Sequence, residues 1–131
     1  MKVIHAQGKR KRAIARATLL PGNGKVRINN QILEVYEPKM CRMKIQEALI
    51  LAGEVANEVD LSVDVAGGGI NSQAESARLA IAKALAKHSK KLEKTFLKYD
   101  RHMLVADVRR NESSKPNCRG KARAKKQKSY R

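Results

Sequence analysis

The groups in this sequence best suited to chemistry are its clustered cations. Lys9, Arg10, Lys11 and Arg12 follow one another after Gly8, and Arg16 extends the patch. From Arg109 to Arg131 only Glu112 offsets Arg109, Arg110, Lys115, Arg119, Lys121, Arg123, Lys125, Lys126, Lys128 and Arg131. Like charges packed this closely repel, so their resting place must carry dense negative charge on a broad surface. A phosphate backbone has that form. Arginine would grip a phosphate through two donors and lysine would act as a flexible point charge, positioning the chain without reading base identity. A lone basic strand face is ordinarily solvated surface. Here separate patches share one sign with too few acids to intersperse, which favours phosphate contacts.

Catalytic constellations are poor by comparison. His5, His88 and His102 are dispersed, Asp64 falls on the polar side of its strand, and Asp100 and Asp107 lie near arginines that would pair with them. Arg101, Arg109 and Arg110 either contact nucleic acid or orient the root of the tail through those two aspartates, and the sequence alone does not separate the roles. Cys41 and Cys118 have no CxxC spacing and no histidine to complete a metal set, so reduced thiols are expected, with no metal, cofactor or catalytic site. Pro21–Lys25, PGNGK, lacks the spacing and the Ser or Thr of a P-loop and reads as a turn. Gly67–Gly69 follows a strand and precedes a helix, the setting for an anion at a helix amino terminus. It departs from GxGxxG, and a tight structural turn is the weightier reading.

These cations need a body to hold them. The 131 residues, 42% hydrophobic with a net charge of +17, suffice for one modest core. Aromatics are 3% and Trp is absent, which argues against base stacking on aromatic platforms. No apolar run has spanning length, no amphipathic stripe accompanies the tail, and MKVIHAQGKRKR lacks the apolar core of a secretory signal, so no membrane partner is expected.

Ala13 to Leu20 reads as a strand, Pro21 to Gly24 as a turn, and Lys25 to Asn29 as a second strand with Val26 and Ile28 on one face and Lys25 and Arg27 on the other. The two strands predict a hairpin with a basic outer face. Ile32 to Tyr36 suggests a short strand or buried edge. After Pro38, the spacing of Met40, Met43, Ile45, Leu49 and Ile50 predicts a helix stopped at Gly53. Leu61, Val63 and Val65 alternate as a half-buried strand, and Gln73 to about His88 is helical, capped by Asn71 or Ser72, with Ala77, Ile81, Ala84 and Leu85 on its inner face. Another helical segment spans about Leu92 to Leu97 and closes at Tyr99 and Asp100; Arg101 to Val108 could tuck back on the body. The fold class is α+β (split α/β), a mostly antiparallel sheet with helices on one face. Residues 1–108 form the compact body, and residues 109–131 a long extended basic C-terminal tail, too polar to order itself without a partner.

Several separated stretches resemble one family in order: GKRKRAIARA at Gly8 to Ala17, PGNGKVRIN at Pro21 to Asn29, VAGGGINSQAESARLAIAKAL at Val65 to Leu85, DRHMLVADVRR at Asp100 to Arg110 and GKARAKKQKSYR at Gly120 to Arg131. Together they are similar to the small-subunit ribosomal protein S9 family, the universal uS9, and the ending KKQKSYR resembles its archaeal or eukaryotic type. Val108 departs from the proline common at its place, and Ser113, Ser114 and Lys115 are less basic than the usual run. The resemblance implies a ribosomal S5 domain 2-like body in the head of the small subunit, with small-subunit ribosomal RNA and neighbouring ribosomal proteins as partners. It further implies a tail threading toward P-site transfer RNA, with Lys128, Ser129, Tyr130 and Arg131 as the transfer RNA contacts. The alternative on charge alone is a free-standing nucleic-acid chaperone or regulatory RNA-binding protein.

Overall fold

Small residues on the inner face of two strands set the architecture. Ile4–Arg10 (β1) and Ala13–Pro21 (β2) pair antiparallel across a turn at Lys11 and Arg12, in the register Gln7 with Arg16 and Arg10 with Ala13. In this computed structural model, which describes residues 3–130, Ala6, Gly8, Ala13, Ala15 and Ala17 all point inward. Inner side chains this short let a helix lie close on the sheet. That helix is Ile70–His88 (α3), whose own buried stripe is equally alanine-rich: Ala74, Ala77, Ala80 and Ala84 with Ile81 and Leu85. At Gly8 the approach is closest, because a Cβ there would run into the Ser76 carbonyl and stand 2.8 Å from the Ala80 amide nitrogen.

The remaining strands are Val26–Ile28 (β3), Gln31–Ile32 (β4) and Val59–Ala66 (β5), and the sheet order is β1-β2-β5-β3-β4. β5 pairs antiparallel with β2 and parallel with β3, so the expected β2–β3 hairpin does not form. Val59, Leu61, Val63 and Val65 are all buried on one face, and this apolar strand sits centrally between the two. The hairpin lies instead at β1–β2, where the GKRKR segment supplies its end and its turn. Pro21 to Lys25 becomes a crossover loop fastened by Asp60, whose Oδ1 accepts the amide protons of Asn23 and Lys25, each at 2.9 Å. Those two bonds and neighbouring positive charge hold the Asp60 carboxyl below its ordinary range. Past the end of β3, Asn29 continues the pairing with its side chain, donating to the Val65 carbonyl at 3.1 Å and accepting from the Val65 amide at 2.8 Å.

Lys39–Ala52 (α1) packs against α3, followed by the single turn Glu54–Asn57 (α2); Lys90–Tyr99 (α4) and a short 3-10 helix, Arg101–Met103, close the core with Leu92, Phe96 and Met103. Ile32 to Tyr36, expected as a strand or buried edge, is mostly a 3-10 helix in which only Leu33 is buried. The inward face of α1 is Cys41, Ile45, Ala48 and Ala52; Met40, Met43 and Ile50, which share the helical spacing, face outward. The start of α3 also differs from expectation. Gly69 is its N-cap, and Asn71 accepts from the Cys41 thiol at 3.4 Å rather than capping the helix. Gln73 donates through its backbone to the Gly69 carbonyl and through its side chain to the Gly67 carbonyl, which closes the turn in place of a hydroxyl or carboxamide cap.

Candidate nucleic-acid interface

The cations separate into three settings, beginning with the open face of the sheet. Lys9, Arg16 and Arg27 project from β1, β2 and β3 onto this helix-free face, with Arg16 opposite Asp64 in register. Lys25 is exposed just ahead of β3. Between these cations stand His5, whose Nδ1 lies 3.2 Å from the Thr18 hydroxyl, and exposed Ile14 and Leu20.

The second setting is a cleft of about 930 Å3 between the β1–β2 turn, the glycine loop ahead of α3 and the root of the tail. Lys11, Arg12, Arg109, Arg110 and Lys121 converge on it, together with Gly68, Gly69 and Ser72. The glycines explain how the walls meet. Gly67 and Gly68 have left-handed backbone (φ 76 and 67), and a Cβ on them would stand 2.7 Å from the Arg12 carbonyl and 2.9 Å from the Ala13 nitrogen. The triple glycine is thus first a packing device that seats the loop on the hairpin turn. It leaves the amino end of the 19-residue α3 facing the cleft, where the helix dipole adds positive potential.

Arg10 also reaches this cleft but is engaged internally. Its Nε donates to Glu75 at 2.6 Å, and its Nη1 lies 2.7 Å from Asp107, off the hydrogen-bond direction, so that contact is electrostatic; the side chain is only 15% exposed. Asp107 accepts from the Arg109 amide at 2.9 Å and from its guanidinium at 2.8 to 3.2 Å. Burial would raise the Glu75 carboxyl, but the Arg10 hydrogen bond and the charges of Arg10 and Lys44 outweigh it and hold Glu75 below its ordinary range. Asp107 is held far lower, first by the Arg109 side-chain and backbone hydrogen bonds, then by the Arg10 charge. These bonds fasten the tail root to β1 and α3. Asp100, by contrast, pairs with Arg78 at 3.1 Å rather than with Arg101, and Arg78 also meets Glu47 at 2.9 Å. Arg101 is exposed and does not line the cleft. Glu75, Arg78 and Glu47 were not singled out from sequence. Arg10 and Glu75 are 65 positions apart, and no local spacing signals their contact.

The Asp107 clamp carries a sign that can be checked. A carboxyl depressed on folding contributes its stabilisation in full above the ordinary aspartate value of 3.8 and loses it as pH falls from there through the depressed value. A carbon-detected NMR titration should therefore find Asp107 still ionised well below pH 3.8, and Asp107→Asn should speed amide exchange from Val105 to Glu112. A midpoint at the ordinary value would refute the clamp.

The third setting is the tail. From Leu104 to Tyr130 there is no helix or strand apart from an isolated bridge between Cys118 and Lys125. The expected extended course is interrupted by a loop closed through backbone bonds from Lys115 to Lys121, Arg119 to Ala124 and Lys126 to Asn117, at 2.9 to 3.0 Å. Glu112, the one acid of the tail, accepts two bonds from Arg123 at 2.9 and 3.1 Å, neutralising one cation where the chain folds back. Lys115, Arg119, Lys121, Lys125 and Lys126 project outward around the loop, and Lys128, Ser129 and Tyr130 are exposed beyond it. Arg131 lies outside the described residues.

Positive charge is thus concentrated in an open cleft, on one sheet face and around the tail loop. Among the described residues no group of His, Cys, Asp and Glu is placed to hold a metal ion, and no helix is long and apolar enough to cross a membrane. Residues 8–131 match the family described as ribosomal protein S9/S16. The chain is 52% identical to the small ribosomal subunit protein uS9 of Methanococcus maripaludis and of Methanococcus vannielii, with both chains covered over their whole length. This chain belongs to the ribosomal protein S9 family, in agreement with the resemblance drawn from its motifs, and the Methanococcus relatives are consistent with the archaeal or eukaryotic type expected of its ending.

Proposed function

We propose that this chain is a non-enzymatic structural component of the small ribosomal subunit, working in the cytoplasm, with a body of the S5 domain 2-like kind (residues 1–108) that docks on ribosomal RNA of the subunit head. The observation that carries the reading is the end-to-end match to proteins named for that subunit, on a chain several of whose cations converge at one cleft. Lys11, Arg12, Arg110 and Lys121 have no ion-pair partner among the described residues and supply the phosphate contacts of the cleft. Lys9, Arg16, Lys25 and Arg27 extend the contact over the sheet face, and Arg101 adds a separate point. Arg10 positions the turn and Arg109 the tail root. Each phosphate neutralised releases counterions, so the affinity is steeply salt-dependent.

The tail (residues 109–131) follows RNA outward through Lys115, Arg119, Arg123, Lys125 and Lys126, its path held by surrounding phosphate. Lys128, Ser129, Tyr130 and Arg131 reach P-site transfer RNA, where lysine and arginine add charge-assisted hydrogen bonds and Tyr130 stacks on a base or sugar. Other proteins of the subunit head are its further neighbours. Sedimentation of native extract at moderate salt should carry the chain with the small subunits; a largely free pool would overturn the structural role. Subunits with a chain lacking Ser129 to Arg131 should still assemble yet release P-site transfer RNA faster, and equal retention would remove the transfer RNA contact alone.

A further inference from the structure

α1 carries a second apolar stripe that the core does not use. Met40 (68% exposed), Met43 (53%) and Ile50 (77%) recur at helical spacing on its outer side. With Lys44, Glu47, half-buried Leu51 and Tyr99 from the end of α4 they line a groove of about 460 Å3 that shares no residue with the cationic cleft. The polar groups of this groove already have partners: Glu47 accepts from the Tyr99 hydroxyl at 2.6 Å and meets Arg78 at 2.9 Å, and Lys44 pairs with Glu75 at 3.4 Å. What remains for a ligand is apolar, and methionine adapts readily to a partner's shape.

Charge decides among the possible occupants. A second copy would bring +17 against +17, and a phosphate backbone would find the groove's one lysine engaged and its walls apolar. α4, whose last residue Tyr99 lines the groove, also exposes Lys91, Lys94 and Lys98 at i, i+3 and i+7. We propose that the α1–α4 groove is a protein-docking surface for an amphipathic helix of a different protein, its apolar stripe seated on Met40, Met43 and Ile50 and its acidic flank against the α4 lysines. In helix-in-groove recognition the docked helix supplies its apolar anchors at i, i+3, i+4 and i+7. The surface lets the chain hold RNA and protein at once, and it does not depend on which RNA the cleft binds.

The test uses the full chain and a fluorescein-labelled synthetic helix of about 18 residues with leucines at i, i+3, i+4 and i+7 and glutamates along one flank. Anisotropy should show this peptide binding at least about tenfold more tightly than a scrambled peptide of equal composition. Ile50→Asp and Met40→Asp, both at exposed sites, should each lower its affinity by about tenfold while leaving urea unfolding and RNA binding unchanged. Equal binding of patterned and scrambled peptides would reduce the effect to net charge and overturn the proposal, as would variants that bind like the parent. Protection of Met40 and Met43 from oxidation by an RNA oligonucleotide would assign the groove to RNA. A dimer in sedimentation that Ile50→Asp dissolves would assign it to a second copy.

Discussion

Exchanging Lys11, Arg12 and Arg110 for glutamine lowers affinity for a small-subunit ribosomal RNA fragment by about 100-fold, taking ~1 kcal/mol for each phosphate interaction removed. The slope of log affinity against log salt falls by about 3 in the same variant, one unit for each phosphate no longer neutralised. All three side chains meet at one cleft, and no carboxylate among the described residues pairs with them. The comparison that gives the experiment its force is Lys91, Lys94 and Lys98 exchanged together for glutamine, which removes the same formal charge from α4. That variant should keep most of its RNA affinity. Equal losses in the two triples, measured by filter binding across a salt series, would mean that RNA responds to net charge and that the cleft has no special part in docking.

Gly8→Val costs ~3 kcal/mol or more of folding stability, at the upper end of overpacking effects and a large share of the roughly 5–15 kcal/mol that holds a typical domain folded. The reason is that its new Cβ meets backbone. The Ser76 carbonyl and the Ala80 amide belong to α3, whose position is set by the alanines stacked along both elements, so relief requires lifting the helix from the sheet. Gly69→Ala is the control, since nothing lies within 4 Å of its Cβ position and its φ of −106 suits any residue. It should cost no more than about 1 kcal/mol, the loss expected when alanine replaces glycine at an N-cap. Urea denaturation of both variants decides the matter: a Gly8→Val chain as stable as its parent would show that α3 does not need that approach.

Gly8 also shows where reading residues in order falls short. In the sequence it opens a basic motif, and its neighbours direct attention to phosphate. In the fold it is the point where a helix some seventy positions away touches a strand, and no nearby residue signals that. The α1 methionines are a related case. Met40, Met43 and Ile50 fit the same helical period as Ile45, so hydrophobicity alone could not say which stripe faces inward. The choice fell to Cys41, Ile45, Ala48 and Ala52, whose smaller average size suits close packing on α3. The expected β2–β3 hairpin fails to form for a topological reason. A turn-rich PGNG between two alternating runs predicts local pairing, but β5, apolar along its inner face, gains more by entering between them and pairing on both sides.

Local pattern was sufficient for what depends on neighbours in the chain. Alternation at Val26–Ile28 and Leu61–Val65, the helical period of Gln73 to His88, the stops at Gly53 and Asp100, the concentration of positive charge and the family motifs were all legible without coordinates, because each is a property of contiguous residues. Three things were decided only in three dimensions: which cations stay open to a ligand, which stripe of α1 is left outside, and what fastens the tail. Arg10 and Arg12 are two positions apart and equally basic, yet Glu75 and Asp107 engage the first while the second stands open at the cleft. Whether a charge is free depends on the acids that folding brings beside it, and those arrive from distant parts of the chain.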